Sequence, residues 1–160
     1  MYGCKILQLP TVKVGGGLSA EAMKQILLSI SSMAGVGSAA EIIFFHADGR
    51  SVDMYFLSYG SNAKAICDVV SKSLRNQYYA VEFMDDEDCA NVKKAMGYTA
   101  QCGATAITKA ETLVTSPYVY EGYYYYCDVF LCNGFDNFNT IFNTLLDSTP
   151  SFVVFQLKPT

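Results

Sequence analysis

The sequence is poor in several residues on which common kinds of site depend. It has no tryptophan and one histidine, His46, so a zinc site or a hydrolase that needs histidine would have to be built around that side chain. No two of its six cysteines form a C-x-x-C pair. No apolar run approaches the roughly 18 residues of a membrane-spanning helix. These absences predict no metal site, no cofactor and no membrane span in this segment.

Charged residues are also few, at 16% of the chain, and the balance is acidic: 11 Lys and Arg against 15 Asp and Glu. Domains that hold nucleic acid neutralise phosphates with basic side chains, so direct nucleic-acid binding is not expected. Hydrophobic residues make up 51% of the 160, which excludes disorder and predicts a single domain over 1–160. Residues 1–9 lack the features of a signal peptide, so we expect a cytoplasmic location.

The six cysteines are predicted to be reduced thiols, most of them buried. A chain of this length buries roughly 70% of its unfolded surface and needs no disulfide to hold its core. Cysteine without a disulfide is also among the residues most often found in cores. The sequence positions are Cys4, Cys67, Cys89, Cys102, Cys127 and Cys132.

The first half of the chain predicts alternating strands and helices. Residues 2–9 form an apolar opening strand, and Ser19 is the predicted N-cap of the helix that follows. An Asp-Gly pair at 48–49, between two apolar runs, predicts a hairpin. Residues 63–74 carry one apolar stripe at helical spacing, and 78–84 return as a strand. This β-α-β-β-α-β order predicts an α+β fold with a ferredoxin-like (split βαβ) core and the helices packed on one sheet face.

The second arm of the hairpin alternates apolar and polar residues. Val52, Met54 and Phe56 are separated by Asp53 and Tyr55. Since successive side chains of a strand point to opposite faces, we expect one face of this strand to be buried more fully than the other.

The second half predicts one short helix and then a further β-α-β unit. Asp85 can cap a helix that Gly97 would end. The stretch from Tyr98 to Ser116 is left open between a long strand, a hairpin and an insertion. Residues 123–132 read as a strand that joins the same sheet, and 151–157 read as a closing strand. Between them, Asp136 or Asn137 opens a helix whose apolar face carries Phe138, Ile141, Phe142, Leu145 and Leu146.

Three motifs could be taken for sites, and each has a simpler explanation. The glycines at 15–17 lie between a strand and a helix, but neither G-x-x-x-x-G-K-[ST] nor G-x-G-x-x-G is present, so a flexible joint is expected. His46 lies at the hairpin end of a strand, where we expect it to be partly exposed. Cys67, which could be its nucleophile, falls on an apolar helix stripe and is expected in the core. The acidic run 85–88 is expected to cap a helix and not to bind a metal ion.

The twelve tyrosines are the compositional peculiarity of the chain, and half of them lie within nine positions. Exposed tyrosines offer a large contact area with a polar tip, which favours a protein interface over simple sheet decoration. They could also stack on bases, but residues 120–129 include no Lys or Arg to hold a nucleic-acid backbone. The candidate interface residues are Tyr118, Tyr120, Tyr123, Tyr124, Tyr125 and Tyr126.

Several short segments occur in a familiar order. They are Leu27-Leu28-Ser29-Ile30, Glu41-Ile42-Ile43-Phe44, Asp48-Gly49-Arg50, Tyr55-Phe56, the helix after Ser61, and the helix 136–146 running into Val153-Val154-Phe155-Gln156-Leu157-Lys158-Pro159. This order resembles the N-terminal domain that precedes the motor in conjugation-type DNA-transfer ATPases of type IV secretion and their HerA-like relatives. The resemblance leaves out the stretch from Tyr98 to Tyr120.

The resemblance implies a non-enzymatic accessory and assembly domain, with the ATPase beginning after Thr160. No Walker A lysine, Walker B acid or arginine finger is present to carry over. The implied partners are the ring of the parent ATPase, the subunits of a secretion channel at the inner face of the membrane, or further copies of the chain. The alternative is a stand-alone module with a ferredoxin-like core that binds a small ligand or a protein, since that fold hosts many functions. A hydrolase that uses His46 ranks third.

Overall fold

The computed structural model describes residues 1–8, 18–33, 38–46, 51–100, 118–125, 137–146 and 150–157. These residues form an α+β structure with four helices, a five-stranded sheet and a two-stranded ribbon. In chain order the elements are β1 (Tyr2–Gln8), α1 (Ala20–Met33), β2 (Ala39–His46), β3 (Asp53–Tyr59), α2 (Ala63–Asn76), β4 (Tyr79–Met84), α3 (Asp86–Ala100), β5 (Tyr118–Tyr120), β6 (Tyr123–Tyr125), α4 (Asn137–Leu146) and β7 (Ser151–Leu157).

The five-stranded sheet is antiparallel throughout, in the order β4-β1-β3-β2-β7. β2 and β3 pair from Ala39 with Tyr59 to Phe45 with Asp53, which confirms the predicted hairpin. Its Asp-Gly turn lies outside the described residues. β1 sits between β3 and β4, so the first strand of the chain lies inside the sheet, next to its β4 edge.

One face of the sheet carries the larger core, against α1, α2 and α4. Ser19 caps α1 as predicted, because its Oγ accepts a hydrogen bond from the N–H of Ala22 at 3.2 Å. The apolar stripe of α2 is buried as predicted. The large side chains that fill this core include Met23, Ile26, Ile42, Phe44, Phe56, Ile66, Val70 and Leu74.

The opposite face is covered by α3, so the prediction that the helices share one face is wrong for this helix. Its Cys89 and Met96 pack with a second apolar set from the sheet: Ile43, Phe45, Tyr55 and Leu57. β3 is therefore buried on both faces, and the expected difference between its two sides is not found. Because helices cover the sheet on both sides, the side chains on both faces of β3 are buried. The alternation of apolar and polar residues did not indicate this.

α3 also runs further than expected. Asp85 caps it as predicted, since its Oδ1 accepts the N–H of Asp88 at 2.8 Å. Gly97 does not end the helix, which continues to Ala100. A glycine inside a helix costs about 1 kcal/mol relative to alanine, and the burial of Met96 beside it offsets such a cost.

The second half departs from the predicted β-α-β unit at its first strand. Only 123–125 of that strand are described, and they pair with β5 in a separate two-stranded ribbon. Glu121 and Gly122, with φ of 50° and 80°, form the two-residue turn that closes this ribbon locally. α4 and β7 follow at the predicted positions, and β7 pairs with β2.

Candidate functional site

The strand β4 forms one edge of the five-stranded sheet. It pairs with β1 from Met84 with Gly3 to Tyr79 with Gln8, and no strand lies on its other side within the described ranges. An edge strand directs about half of its backbone N–H and C=O groups away from the sheet. Backbone groups that point outward in this way can pair with an added strand.

Exposed aromatic side chains concentrate at this edge. Phe83, near the end of β4, is 58% exposed, and Tyr78, immediately before β4, is 62% exposed. Tyr2 at the start of β1 is also exposed, and it lies on the same face as Phe83, whose register partner is Cys4. The guanidinium of Arg75 lies 5.8 Å from the centre of the Phe83 ring. Exposed aromatic groups with a neighbouring arginine are typical of protein interfaces.

A groove of about 330 Å³ runs beside this edge on the α3 face of the sheet. We call it the β4 groove. Its lining comes from three strands and the first half of α3: Lys5, Tyr55, Glu82, Phe83, Met84, Asp88, Asn91 and Val92. The volume is at the low end for a small-ligand pocket, and Glu82, Asp88 and Asn91 on its border are exposed. This shape suits an extended chain better than an enclosed small molecule.

Of the charged side chains that line the β4 groove, Lys5 forms an ion pair with a described residue, whereas the two carboxylates do not. Lys5 is held by Asp53, with Nζ 3.2 Å from Oδ1, and its ammonium lies 5.9 Å from the centre of the Tyr55 ring. Burial, reinforced by the Asp53 carboxylate that accepts its hydroxyl at 3.3 Å, raises the pKa of Tyr55 to about 12. Glu82 and Asp88 take part in none of the ion pairs between described residues.

A second polar group, the Glu41 cluster, lies under α3 and comprises Glu41, Tyr59, Lys93 and Gln156. The Oε2 of Glu41 accepts the Lys93 ammonium at 2.6 Å and the Tyr59 hydroxyl at 2.9 Å, and its Oε1 accepts the amide of Gln156 at 3.4 Å. Burial, followed by the bond to Glu41, raises the pKa of Tyr59. Burial alone would lower the pKa of Lys93, but its bonds to Glu41 and Tyr59 outweigh this and raise it. The cluster ties α3 to β2, β3 and β7.

Three cysteines lie within the described residues, and all three are buried and without a disulfide, as predicted. The thiols of Cys4 and Cys67 hydrogen-bond to each other, and this contact, with burial, raises the pKa of Cys4. Burial also raises the pKa of Cys89. The same bond from Cys4 lowers the pKa of Cys67, although burial acts in the opposite direction. Cys67 is only 2% exposed, so it lies in the core, as predicted. Cys102, Cys127 and Cys132 lie outside the described residues.

His46 is buried, contrary to the expected partial exposure. It is 4% exposed, and its Nδ1 donates to the carbonyl oxygen of Ser51 at 2.9 Å. A carbonyl oxygen only accepts hydrogen bonds, so Nδ1 carries the proton. The bond closes the end of the hairpin, where Ser151 of β7 is the cross-strand neighbour of His46.

The other predicted motifs divide between described and undescribed parts. The acidic residues at 86–88 form the exposed first turn of α3. The glycines at 15–17, Tyr126 and most of the open stretch 98–116 lie outside the described residues. The remaining five candidate tyrosines lie in the ribbon, where Tyr118 pairs with Tyr125 and Tyr120 with Tyr123. Their role as a protein interface stays a prediction.

The residues of the β4 groove were not singled out by the sequence. Their positions are far apart in the chain, and Lys5, Tyr55 and Glu82 meet only because β1 lies between β3 and β4. The one local signal was Phe83, an aromatic residue beside Glu82 in a short strand. A strand pattern does not reveal that the strand is an edge.

In the part of the chain that the structure describes, no helix is long and apolar enough to cross a membrane. Across those residues, no three His, Cys, Asp or Glu side chains are grouped so as to hold a metal ion. A scan against protein-family models and searches of curated proteins and of solved structures found no match to this chain.

Proposed function

We propose that the chain is a non-enzymatic protein-binding domain that works through the open edge at β4. The observation that carries this proposal is the coincidence of an edge strand with the exposed aromatic side chains of Tyr2, Tyr78 and Phe83. Solvated edges are usually protected by a charged residue, a proline or a bulge, because they invite pairing with another chain. The β4 edge carries one such charge, Glu82, but it also exposes aromatic side chains, which suit it to binding a partner.

The proposal includes a ferredoxin-like core. The first six elements follow the order β-α-β-β-α-β, the four strands lie in the order β4-β1-β3-β2, and α1 and α2 pack on one face. In this proposal β7 extends the sheet beyond β2, while α3 is an addition on the opposite face. The C-terminal β-α-β unit would then be an appendage of the core, with α4 and β7 as its second and third elements.

The burial of His46, the one histidine of the chain, supports a role without catalysis. A general base needs a ring nitrogen free to take a proton from a nucleophile within reach. The Nδ1–H of His46 is bonded to a backbone carbonyl and the residue is only 4% exposed, so a substrate in solvent has little access to the ring. The thiols of Cys4, Cys67 and Cys89 are buried as well.

We further propose, from the sequence resemblance alone, that the chain is an accessory and assembly domain of a DNA-translocating or secretion ATPase and that its partners belong to that machine. Reading the native gene beyond the codon for Thr160 tests this point. A Walker A motif within a few tens of codons would support a place in front of a motor. A stop codon there would overturn it and leave the stand-alone binding module.

The binding role itself can be tested with a library of displayed random peptides selected on the immobilised chain. Peptides enriched on the wild type should be lost on a Phe83→Lys variant, which removes an exposed aromatic group from the edge. Leu28→Lys is the matched control, because Leu28 is 54% exposed and lies on α1, away from β4. Enrichment that is equal on all three proteins, or absent on the wild type, would overturn β4 as the binding element.

A further inference from the structure

We infer that the partner bound at the β4 edge is an extended, basic segment of another protein, which adds to the sheet as a strand beside β4. This inference rests on the proposed function and names the chemistry of the partner. Its grounds are the charge of the β4 groove, the alternation of side chains along β4, and the backbone edge that β4 leaves open among the described residues.

The charge argument starts from the carboxylates that border the edge. Glu82 on β4 and Asp88 on α3 line the β4 groove, and neither has a partner among the ion pairs of the described residues. The ammonium of Lys5, which also lines the groove, is already paired with Asp53. The groove therefore offers two carboxylates without an ionic partner to whatever lies against it. Complementary charge steers association and sets the register of an interface, so the matching partner carries Lys or Arg.

The alternation along β4 specifies where those basic residues should stand. Glu82 lies on the α3 face with the groove, whereas Val81 and Phe83 lie on the opposite face, as their register partners Ile6 and Cys4 show. Residues directly opposite each other in an antiparallel pair have Cβ atoms about 5 Å apart. A partner strand should thus place a basic side chain opposite Glu82 and apolar side chains opposite Val81 and Phe83. That pattern is an alternation of basic and apolar residues.

The open backbone edge of β4 favours a strand over a helix or a small molecule as the partner. The edge of β4 supplies backbone groups along six residues, about 20 Å of strand. The groove beside it is small for a ligand pocket and has exposed polar residues on its border. Main-chain hydrogen bonds to the edge would give affinity, and contacts of alternate side chains with Phe83 and Glu82 would give specificity.

The test measures fluorescence anisotropy of labelled peptides with the full chain. The probe is a peptide of about eight residues in which valine and lysine alternate. We expect it to bind the wild type at least about fivefold more tightly than the peptide with glutamate in place of lysine. Glu82→Lys should reverse this preference, and Glu82→Gln should reduce it. Asp68→Lys changes the net charge equally on an exposed position of α2 and should leave the preference unchanged.

A third peptide has the sequence of the probe, but every second backbone nitrogen is methylated. Methylation keeps the charge of the peptide and removes the N–H groups that would donate hydrogen bonds to β4. The methylated peptide should lose binding if the partner adds as a strand. Equal binding of this peptide, or an unchanged preference in Glu82→Lys, would overturn the inference. If the displayed library then still yields acidic or neutral peptides that depend on Phe83, the proposed function stands and only the basic partner is wrong. If it yields none, both fail.

Discussion

At the scale of single residues, the carboxylate of Glu41 accepts three side-chain hydrogen bonds. It is 12% exposed, and its oxygens accept hydrogen bonds from Lys93, Tyr59 and Gln156. A buried charge is tolerated when it is paired and its remaining lone pairs are satisfied. Glu41 lies in an apolar strand and Lys93 in a helix 52 positions later in the chain. No local sequence pattern therefore predicted that these two side chains form an ion pair.

Lys93→Met should destabilise the protein, because it leaves the Glu41 carboxylate without its ionic partner under α3. Lys93 is 39% exposed, so solvent screens the pair and we expect a loss of about 1 kcal/mol in the free energy of unfolding. Urea unfolding followed by circular dichroism measures it. Lys94→Met is the control, because Lys94 is exposed and its removal should cost about 0.5 kcal/mol or less. Equal losses in the two variants would contradict a stabilising role for the pair.

Tyr55 makes stability fall at alkaline pH. Its pKa is about 12 in the folded protein against an ordinary value of 10, because it is buried beside Asp53. The unfolded chain therefore releases this proton at a lower pH than the folded chain, and the free energy of unfolding falls as pH rises from 10 towards 12. The full effect is on the order of 2 kcal/mol.

Tyr55→Phe should reduce this alkaline loss, since phenylalanine keeps the packing and cannot ionise. Urea unfolding of wild type and variant, each at neutral and alkaline pH, measures the difference. The neutral pair of measurements corrects for the lost hydrogen bond to Asp53. An identical alkaline loss in both proteins would show that Tyr55 does not cause it.

At the scale of elements, α3 lies close to the backbone of β1, and Gly3 is the residue that permits this approach. A Cβ at position 3 would lie 2.6 Å from Cδ2 of Leu57 and 2.7 Å from Sγ of Cys89. Both distances are shorter than atomic contact allows. The start of α3 can therefore pack on the sheet only where the strand carries no side chain.

Gly3→Ala should destabilise the protein by about 1–3 kcal/mol, because Leu57 and Cys89 must shift in a packed core. The cost should be smaller in a Cys89→Ala background, where one of the two colliding groups is removed. A double-mutant cycle of unfolding free energies measures this coupling, which we expect to be about 0.5 kcal/mol or more. Additive losses would indicate that α3 does not pack on Gly3.

At the scale of the whole molecule, the sheet is covered on both faces while its β4 edge remains open among the described residues. The edge and its exposed aromatic side chains are where the proposed partner would bind. The acidic balance of the chain agrees with a protein partner and opposes phosphate binding.

The purified chain should therefore neither hydrolyse ATP nor bind duplex DNA at physiological salt. Release of phosphate and electrophoretic mobility of labelled duplex DNA measure the two activities. An ATPase rate that disappears when residues 15–17 are changed to alanine would contradict the accessory-domain proposal. A rate unaffected by that change would point to a contaminating enzyme, which repurification should remove.

The sequence by itself determined the helices, most of the strands and several local features of this protein. Ser19 and Asp85 act as caps, and the hairpin β2–β3 forms, because these depend on residues a few positions apart. Tertiary structure alone decided that α3 covers the second face, that His46 is buried and that Lys5 and Glu82 share a groove with Tyr55. Each of these depends on the order of strands in the sheet. That order is set by the burial of side chains from distant segments, which no local pattern records.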